Sequence, residues 1–155
     1  MKLNDTWVLW VHYPHDNDWT IESYKKLITF NTLEDAISII EFFKINILEK
    51  YLLFIMRDGI LPIWEDKNNV KGGCFSYKVP NEHINDIWKQ MSYLLIGETI
   101  TKDVDNINGI TLSNKKKFFI LKIWTKTTKN IEPETIHSIK NLNEKKCVFK
   151  EHSIQ

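Results

Sequence analysis

The chain has 155 residues, 43% of them apolar and 26% charged, with a formal net charge of +1. That is long enough for one domain to bury roughly two-thirds of its unfolded surface without disulfide or metal staples, and its balance excludes wholesale disorder. The near-neutral charge excludes a protein that coats nucleic acid by bulk attraction to phosphates, and with Arg57 the sole arginine, any local phosphate contact falls to lysine point charges.

In chain order, the aromatic and β-branched run 7–11 predicts a strand, and 12–19, with Pro14 and an Asp/Asn cluster, predicts a loop closed by Trp19. A tryptophan there is either a lid folded back on the core or a surface for a ligand. Residues 21–30 read as a strand interrupted by Lys25 and Lys26. Thr32 then opens a helix to about Asn46, with Asp35 placed for a capping box. Its apolar positions, Leu33, Ala36, Ile37, Ile39, Ile40, Phe42 and Phe43, exceed the ~100° stripe that packing on one sheet uses. That surplus needs a second cover, from the fold itself or from a partner protein.

Residues 51–56 predict a buried strand that delivers a stiff loop, where Pro62 fixes the backbone just before Trp64 and Glu65. Residues 74–79 alternate as a strand stopped by Pro80. Asn81 caps a second helix, whose positions Ile84, Ile87, Trp88, Met91, Leu94 and Leu95 keep amphipathic spacing and which Gly97 ends. Strands are expected at 107–112 and 117–125 around a turn at 114–116, with Trp124 near the end of the second. Pro133 suits the start of a third helix reaching about Asn143, and 147–150 a last strand. Hairpin-joined strands with separated helices predict a single α+β domain over 1–155, built on a mostly antiparallel sheet covered on one face.

Cys74 and Cys147 lack paired spacing and read as free thiols. No apolar run approaches the ~20 residues of a membrane span and the start lacks a signal-peptide core, so the expected address is the cytoplasm, without membrane contact. The adjacent carboxylates Glu65 and Asp66, and His12 and His15 in an earlier loop, are the material from which a nuclease site could be imagined. No organised acid cluster, phosphate-cradling glycine motif or metal spacing accompanies them, so neither an enzyme nor a metal or other cofactor is expected, and the five histidines read as surface or structural residues. Trp64 beside Glu65 offers a flat aromatic face next to a carboxylate. Such a pair suits a planar ligand with hydrogen-bond donors along one edge, as guanine has.

The series Trp7-x-Leu9-Trp10, Trp19, Phe30-x-Thr32-x-Glu34-Asp35, Gly59-Ile60-x-Pro62-x-Trp64-Glu65-Asp66, Gly72-Gly73, Trp88, Leu95-Ile96-Gly97-Glu98, Gly109 and Ile123-Trp124-Thr125 resembles, in order and over most of the chain, the eukaryotic translation initiation factor 4E family of messenger-RNA cap-binding proteins. The resemblance implies a strongly curved antiparallel sheet shaped like a cupped hand, with about three helices on its convex back. It further implies that Trp19 and Trp64 sandwich the 7-methylguanine, that Glu65 and the Trp64 backbone N–H read its edge, and that Trp124 meets the methyl group. Lys71, Lys115 and Lys117 are the expected phosphate contacts.

Two departures from the family pattern matter. Cys74 stands where an arginine commonly follows the glycine pair, which removes one phosphate anchor. Ile37 stands where a tryptophan commonly grips the scaffold factor's helix, so Leu33, Ile37, Gly97 and Glu98 form a reduced surface for a 4G-like scaffold or binding-protein helix. The implied protein is a monomer within a translation-initiation complex on capped messenger RNA. A cap-binding repressor that fails to engage the usual scaffold stays open beside it. The short leader and compact loops suit a viral or protist lineage, with the host cytoplasm as the address if viral.

Overall fold

A computed structural model describes residues 1–152. The strands are β1 (Lys2–His12), β2 (Lys25–Thr32), β3 (Leu52–Arg57), β4 (Gly73–Pro80), β5 (Ile107–Asn114), β6 (Phe118–Thr125) and β7 (Val148–Glu151). They form one seven-stranded sheet in the order β2-β1-β3-β5-β6-β4-β7, and every pairing is antiparallel. Register shifts within the β1/β2 and β5/β6 pairs mark bulges, which bend strands and increase their twist, and the sheet curves accordingly.

Strand periodicity divides the side chains between the two faces. Leu9, Leu53, Ile55, Ile110, Phe75, Leu121 and Ile123 point into the main core, where the helices α1 (Leu33–Phe42), α2 (Ile45–Leu48) and α3 (Ile84–Ile96) supply Ala36, Ile40, Leu48, Trp88, Met91 and Leu95. Their alternates on the opposite face, Phe54, Met56, Cys74 and Trp124, form a second, smaller cluster with Trp10, Tyr24, Leu52 and Ile60 at its rim. Each large side chain fully buried in the main core contributes ~1.5–3 kcal/mol relative to exposure. A one-residue slip of any central strand would forfeit several such terms, and so the register that fixes the core also fixes which residues face the opposite side.

Four expectations change. Asn81 does not cap α3: it opens a 3-10 turn over Asn81–His83, donates its side-chain amide to the Lys116 carbonyl, and α3 begins at Ile84 without a side-chain cap. Residues 21–23 form a 3-10 turn, and β2 starts only at Lys25. The first helix begins as read, with the Thr32 hydroxyl accepting from the Asp35 N–H at 3.2 Å, but it stops at Phe42. Extended backbone at Phe43 and Lys44 redirects the chain so that α2 can bury Leu48 completely, because a straight helix would carry that apolar surface into solvent. The expected helix at 133–143 is a 3-10 turn over Pro133–Thr135 followed by irregular chain. Ile136 and Ile139 are buried at helix-like spacing, yet the His137 N–H bonds to the Ile100 carbonyl and Asn141 takes a left-handed φ of 69°. Two apolar anchors three residues apart pin an irregular segment as well as they pin a helix.

The glycine pair has a steric reason. A Cβ on Gly72 would lie 1.9 Å from the Thr125 carbonyl oxygen, and one on Gly73 would lie 2.3 Å from that of Lys150. β4 can therefore press between β6 and β7 only without side chains there.

Candidate functional site

The face of the sheet opposite the helices carries a cavity of about 390 Å³, within the range of small-molecule sites. Its wall comes from the loops after β1 and β3 and the turn between β5 and β6, and its floor from β3, β5 and β6. Trp124, on β6, is 7% exposed and donates its indole N–H to the Thr111 hydroxyl at 2.5 Å, while Phe54 packs edge-on against its ring. With its N–H spent, Trp124 offers the cavity only apolar ring surface.

The loop after β3 supplies Pro62, Ile63, Trp64 and Glu65. Polar side chains inside the loop hold its shape. The Asp66 carboxylate accepts from the N–H groups of Leu61 (2.9 Å) and Asn68 (2.7 Å). Asn69, wholly buried, donates to the carbonyls of Leu61 (3.0 Å) and Ile63 (2.8 Å). Its own amide oxygen accepts from Asn108 at 2.8 Å, and Asn108 also donates to the Asn68 carbonyl. Asn108 lies at the β5/β6 register shift, so the sheet reaches out to brace the loop. Held this way, Trp64 is 36% exposed and Glu65 is exposed beside it. Among the described residues the Glu65 carboxylate has no hydrogen bond or ion pair.

Trp19 enters from the loop after β1 and is 53% exposed. One of its faces lies flat on His12, with ring centroids 3.9 Å apart and planes 6° from parallel. Tyr24 meets it edge-on and lines the cavity too, and burial, then the charge of Glu65, pushes the Tyr24 phenol up to about 12. Trp19 and Trp64 make no ring contact with each other among the described residues.

Of the sequence-predicted residues, Trp19, Trp64, Glu65, Trp124 and Lys115 line this one cavity. Lys71 and Lys117 are exposed and lie outside its lining. Sequence reasoning missed Lys122, which shares the cavity face of β6 with Ile120 and Trp124 and also borders a smaller cavity of about 260 Å³ with Ser76, Lys150 and His152. Strand alternation from Trp124 was the signal that pointed to it. The histidines read as surface or structural also divide, since His12 is fully buried and His152 is 7% exposed. Burial, and then the charge of Lys122, pushes the His152 imidazole down to about 4, while burial pushes its neighbour, the Cys74 thiol, up to about 12.

On the helical side, Leu33 is half-buried, Ile37 is 43% exposed and Gly97 is exposed at the end of α3. Glu98 is engaged within the fold. Its carboxylate takes a two-pronged grip from Arg57 at 2.6 and 2.7 Å, which holds Glu98 in a left-handed conformation at φ 59°. Arg57 also bonds Asp5 and the carbonyls of Val104 and Ile107, and its guanidinium lies over the Trp7 ring. No helix among the described residues is long and apolar enough to cross a membrane.

The family model described as eukaryotic initiation factor 4E matches residues 2–155. Among curated relatives, eukaryotic translation initiation factor 4E of Candida albicans is 32% identical over 146 residues, covering 86% of this chain and 68% of the relative. The eukaryotic translation initiation factor 4E homolog of Acanthamoeba polyphaga mimivirus is also 32% identical, over 137 residues, covering 73% of this chain and 50% of that relative. Among solved structures, C. elegans eIF4E-3 in complex with the 4E-binding protein Mextli and cap analog superposes with a TM-score of 0.74 at 25% identity, over 81% of this chain and 74% of that one. Schistosome eIF4E complexed with m7GpppG and 4E-BP gives 0.74 at 25% identity, over 83% and 74%. The match over nearly the whole sequence, on a seven-stranded antiparallel sheet with helices on one face, assigns this chain to the eukaryotic initiation factor 4E family.

Proposed function

We propose that this chain binds the 7-methylguanosine cap of messenger RNA and, through its convex face, engages a scaffold helix to start translation in the cytoplasm. The observation that carries the reading is the convergence of Trp19, Trp64, Trp124 and an unpartnered Glu65 on one cavity. Relatives of similar fold are solved with a cap analog or m7GpppG and with 4E-binding proteins, which supports both halves of the proposal.

Methylation at N7 makes the guanine ring cationic, so each indole face adds a cation–π term to ordinary stacking, ~1–3 kcal/mol per stacked face. Glu65 accepts from the ring N–H and the exocyclic amine, charge-assisted bonds worth roughly 1.5–3 kcal/mol, whereas an adenine edge would set an acceptor against the carboxylate. The Trp64 N–H, which takes part in no hydrogen bond among the described residues, meets the base carbonyl. Trp124 takes the methyl group on its apolar ring. Lys115, Lys71 and Lys117 face the phosphates, joined by Lys122. Leu33, Ile37 and Gly97 receive an amphipathic helix beside Glu98. A repressor would share the pocket and differ only in its partner. The engagement of Glu98 by Arg57, which removes one polar grip from that surface, favours keeping this second reading.

Quenching of tryptophan fluorescence by 7-methyl-GTP, against GTP as control, tests the proposal. Wild type should prefer the methylated ligand, with affinity falling as salt rises. Trp64→Ala should cost ~1–3 kcal/mol for the methylated ligand, and Glu65→Gln should chiefly weaken the choice of base. Equal affinities for both ligands, unaffected by either substitution, would place the binding site elsewhere.

A further inference from the structure

We propose that His12 is the positioning residue for Trp19, a fixed plate behind the tryptophan that orients its free face for a planar cationic ligand. This rests on the cap-binding reading. A tryptophan half in solvent has many rotamers open to it, and one side of a stacking clamp works only if its ring is already ordered. Trp19 is such a ring, at 53% exposure. His12 is its opposite, fully buried as the last residue of β1 and held to the sheet by its pairing with Leu52.

The two rings lie 3.9 Å apart and 6° from parallel. His12 takes no part in the cavity lining, whereas Trp19 does, so the covered face is the one turned away from the ligand and only the cavity face is left to stack. Beneath the pair, Tyr24 touches both rings and limits sideways sliding. The chain on either side of Trp19 is also fixed. His12 Nε2 lies 2.8 Å from the Asp18 carbonyl, which can only accept, so Nε2 is the donor of this bond. The Asp18 carboxylate in turn accepts from the N–H and hydroxyl of Thr20, bonds that hold it below the usual carboxylate range. His12 Nδ1 is buried with no partner among the described residues. The imidazole therefore leaves one hydrogen-bonding atom unused in order to lie flat under the indole, and a ring of similar size without that nitrogen would serve.

The test compares His12→Ala and His12→Phe with wild type, by 7-methyl-GTP titration, melting temperature, and fluorine NMR of 5-fluorotryptophan-labelled free protein, the Trp19 line being assigned with Trp19→Phe. His12→Ala should weaken 7-methyl-GTP by about 10-fold and shift or broaden the Trp19 line. His12→Phe should restore both while keeping a flat plate, whatever its effect on melting. A Trp19 line and affinity unchanged in His12→Ala would overturn the inference. So would failure of His12→Phe to restore either at wild-type melting temperature. If wild type itself does not bind 7-methyl-GTP, the functional reading fails separately, and the NMR comparison still decides whether His12 fixes Trp19.

Discussion

Replacing Asn69 by alanine should loosen the loop that carries Trp64 and Glu65. The native amide makes two donations, to Leu61 and Ile63, and accepts one from Asn108. Each bond is worth about 1 kcal/mol net, and truncation also strands two loop carbonyls and one Asn108 N–H. Partial rehydration of the carbonyls offsets some of that, so the expected loss is ~2–4 kcal/mol, measured as a lower urea midpoint at unchanged slope. Asn69→Asp is the sharper probe, because it keeps an acceptor for Asn108 but sets a buried negative charge against two carbonyl oxygens. It should be the less stable of the two at neutral pH and recover towards Asn69→Ala as acid protonates it. Because the braced carbonyls lie just ahead of Trp64 in the loop, both variants should also lose affinity for 7-methyl-GTP in fluorescence titration. Wild-type stability and affinity in both would refute the idea that this amide sets the loop.

Arg57→Met removes the partner of Glu98 and Asp5 and the cation over Trp7. It leaves a largely buried carboxylate at a left-handed residue and should cost ~3 kcal/mol in urea denaturation, and a loss within error would show that water replaces the guanidinium. His152 supplies a pH dependence. Its folded value of about 4 lies below the ordinary 6.5, so between the two the unfolded chain binds the extra proton. Stability is then full above about pH 6.5 and declines on acidification towards pH 4, by ~2 kcal/mol at about pH 5. His152→Phe should flatten that part of the stability profile, and an unchanged slope would assign the acid sensitivity to other groups.

What could be read in advance follows from where the signals lie. The strand of residues 51–56, the helix ending at Gly97 and the turn between β5 and β6 rest on local periodicity and capping, which the chain states within a few residues. Trp64 and Glu65 were legible for the same reason, since proline stiffening and the aromatic–acid pair are adjacent. The bracing of their loop was not. Asn69 meets Asn108 across 39 positions, and an asparagine in a polar loop carries no mark of being buried. His12 was hidden likewise, because its partner Trp19 returns over it only after a loop whose path no spacing rule predicts. At 133–143 the local signal was present but ambiguous, since Pro133 and the spacing of Ile136 and Ile139 serve an anchored coil as well as a helix.

The division between the two faces of the sheet gives the molecule a separable design. Along β6, Leu121 and Ile123 enter the main core while Ile120, Lys122 and Trp124 face the cavity, and along β3 Leu53 and Ile55 alternate with Leu52 and Phe54 in the same way. Neighbouring residues thus answer to different demands, one to packing under the helices and the next to the cavity. The separation holds because register cannot slip without exposing the core, so the placement of Trp124 and Phe54 is set by hydrophobic burial on the far side of the strand. Trp64 and Trp19 lack that guarantee, being on loops, and each has its own brace instead, an asparagine pair for one and an imidazole plate for the other. Substitutions on the core side should therefore lower stability first, those on the cavity side affinity first, and only the braces should move both together.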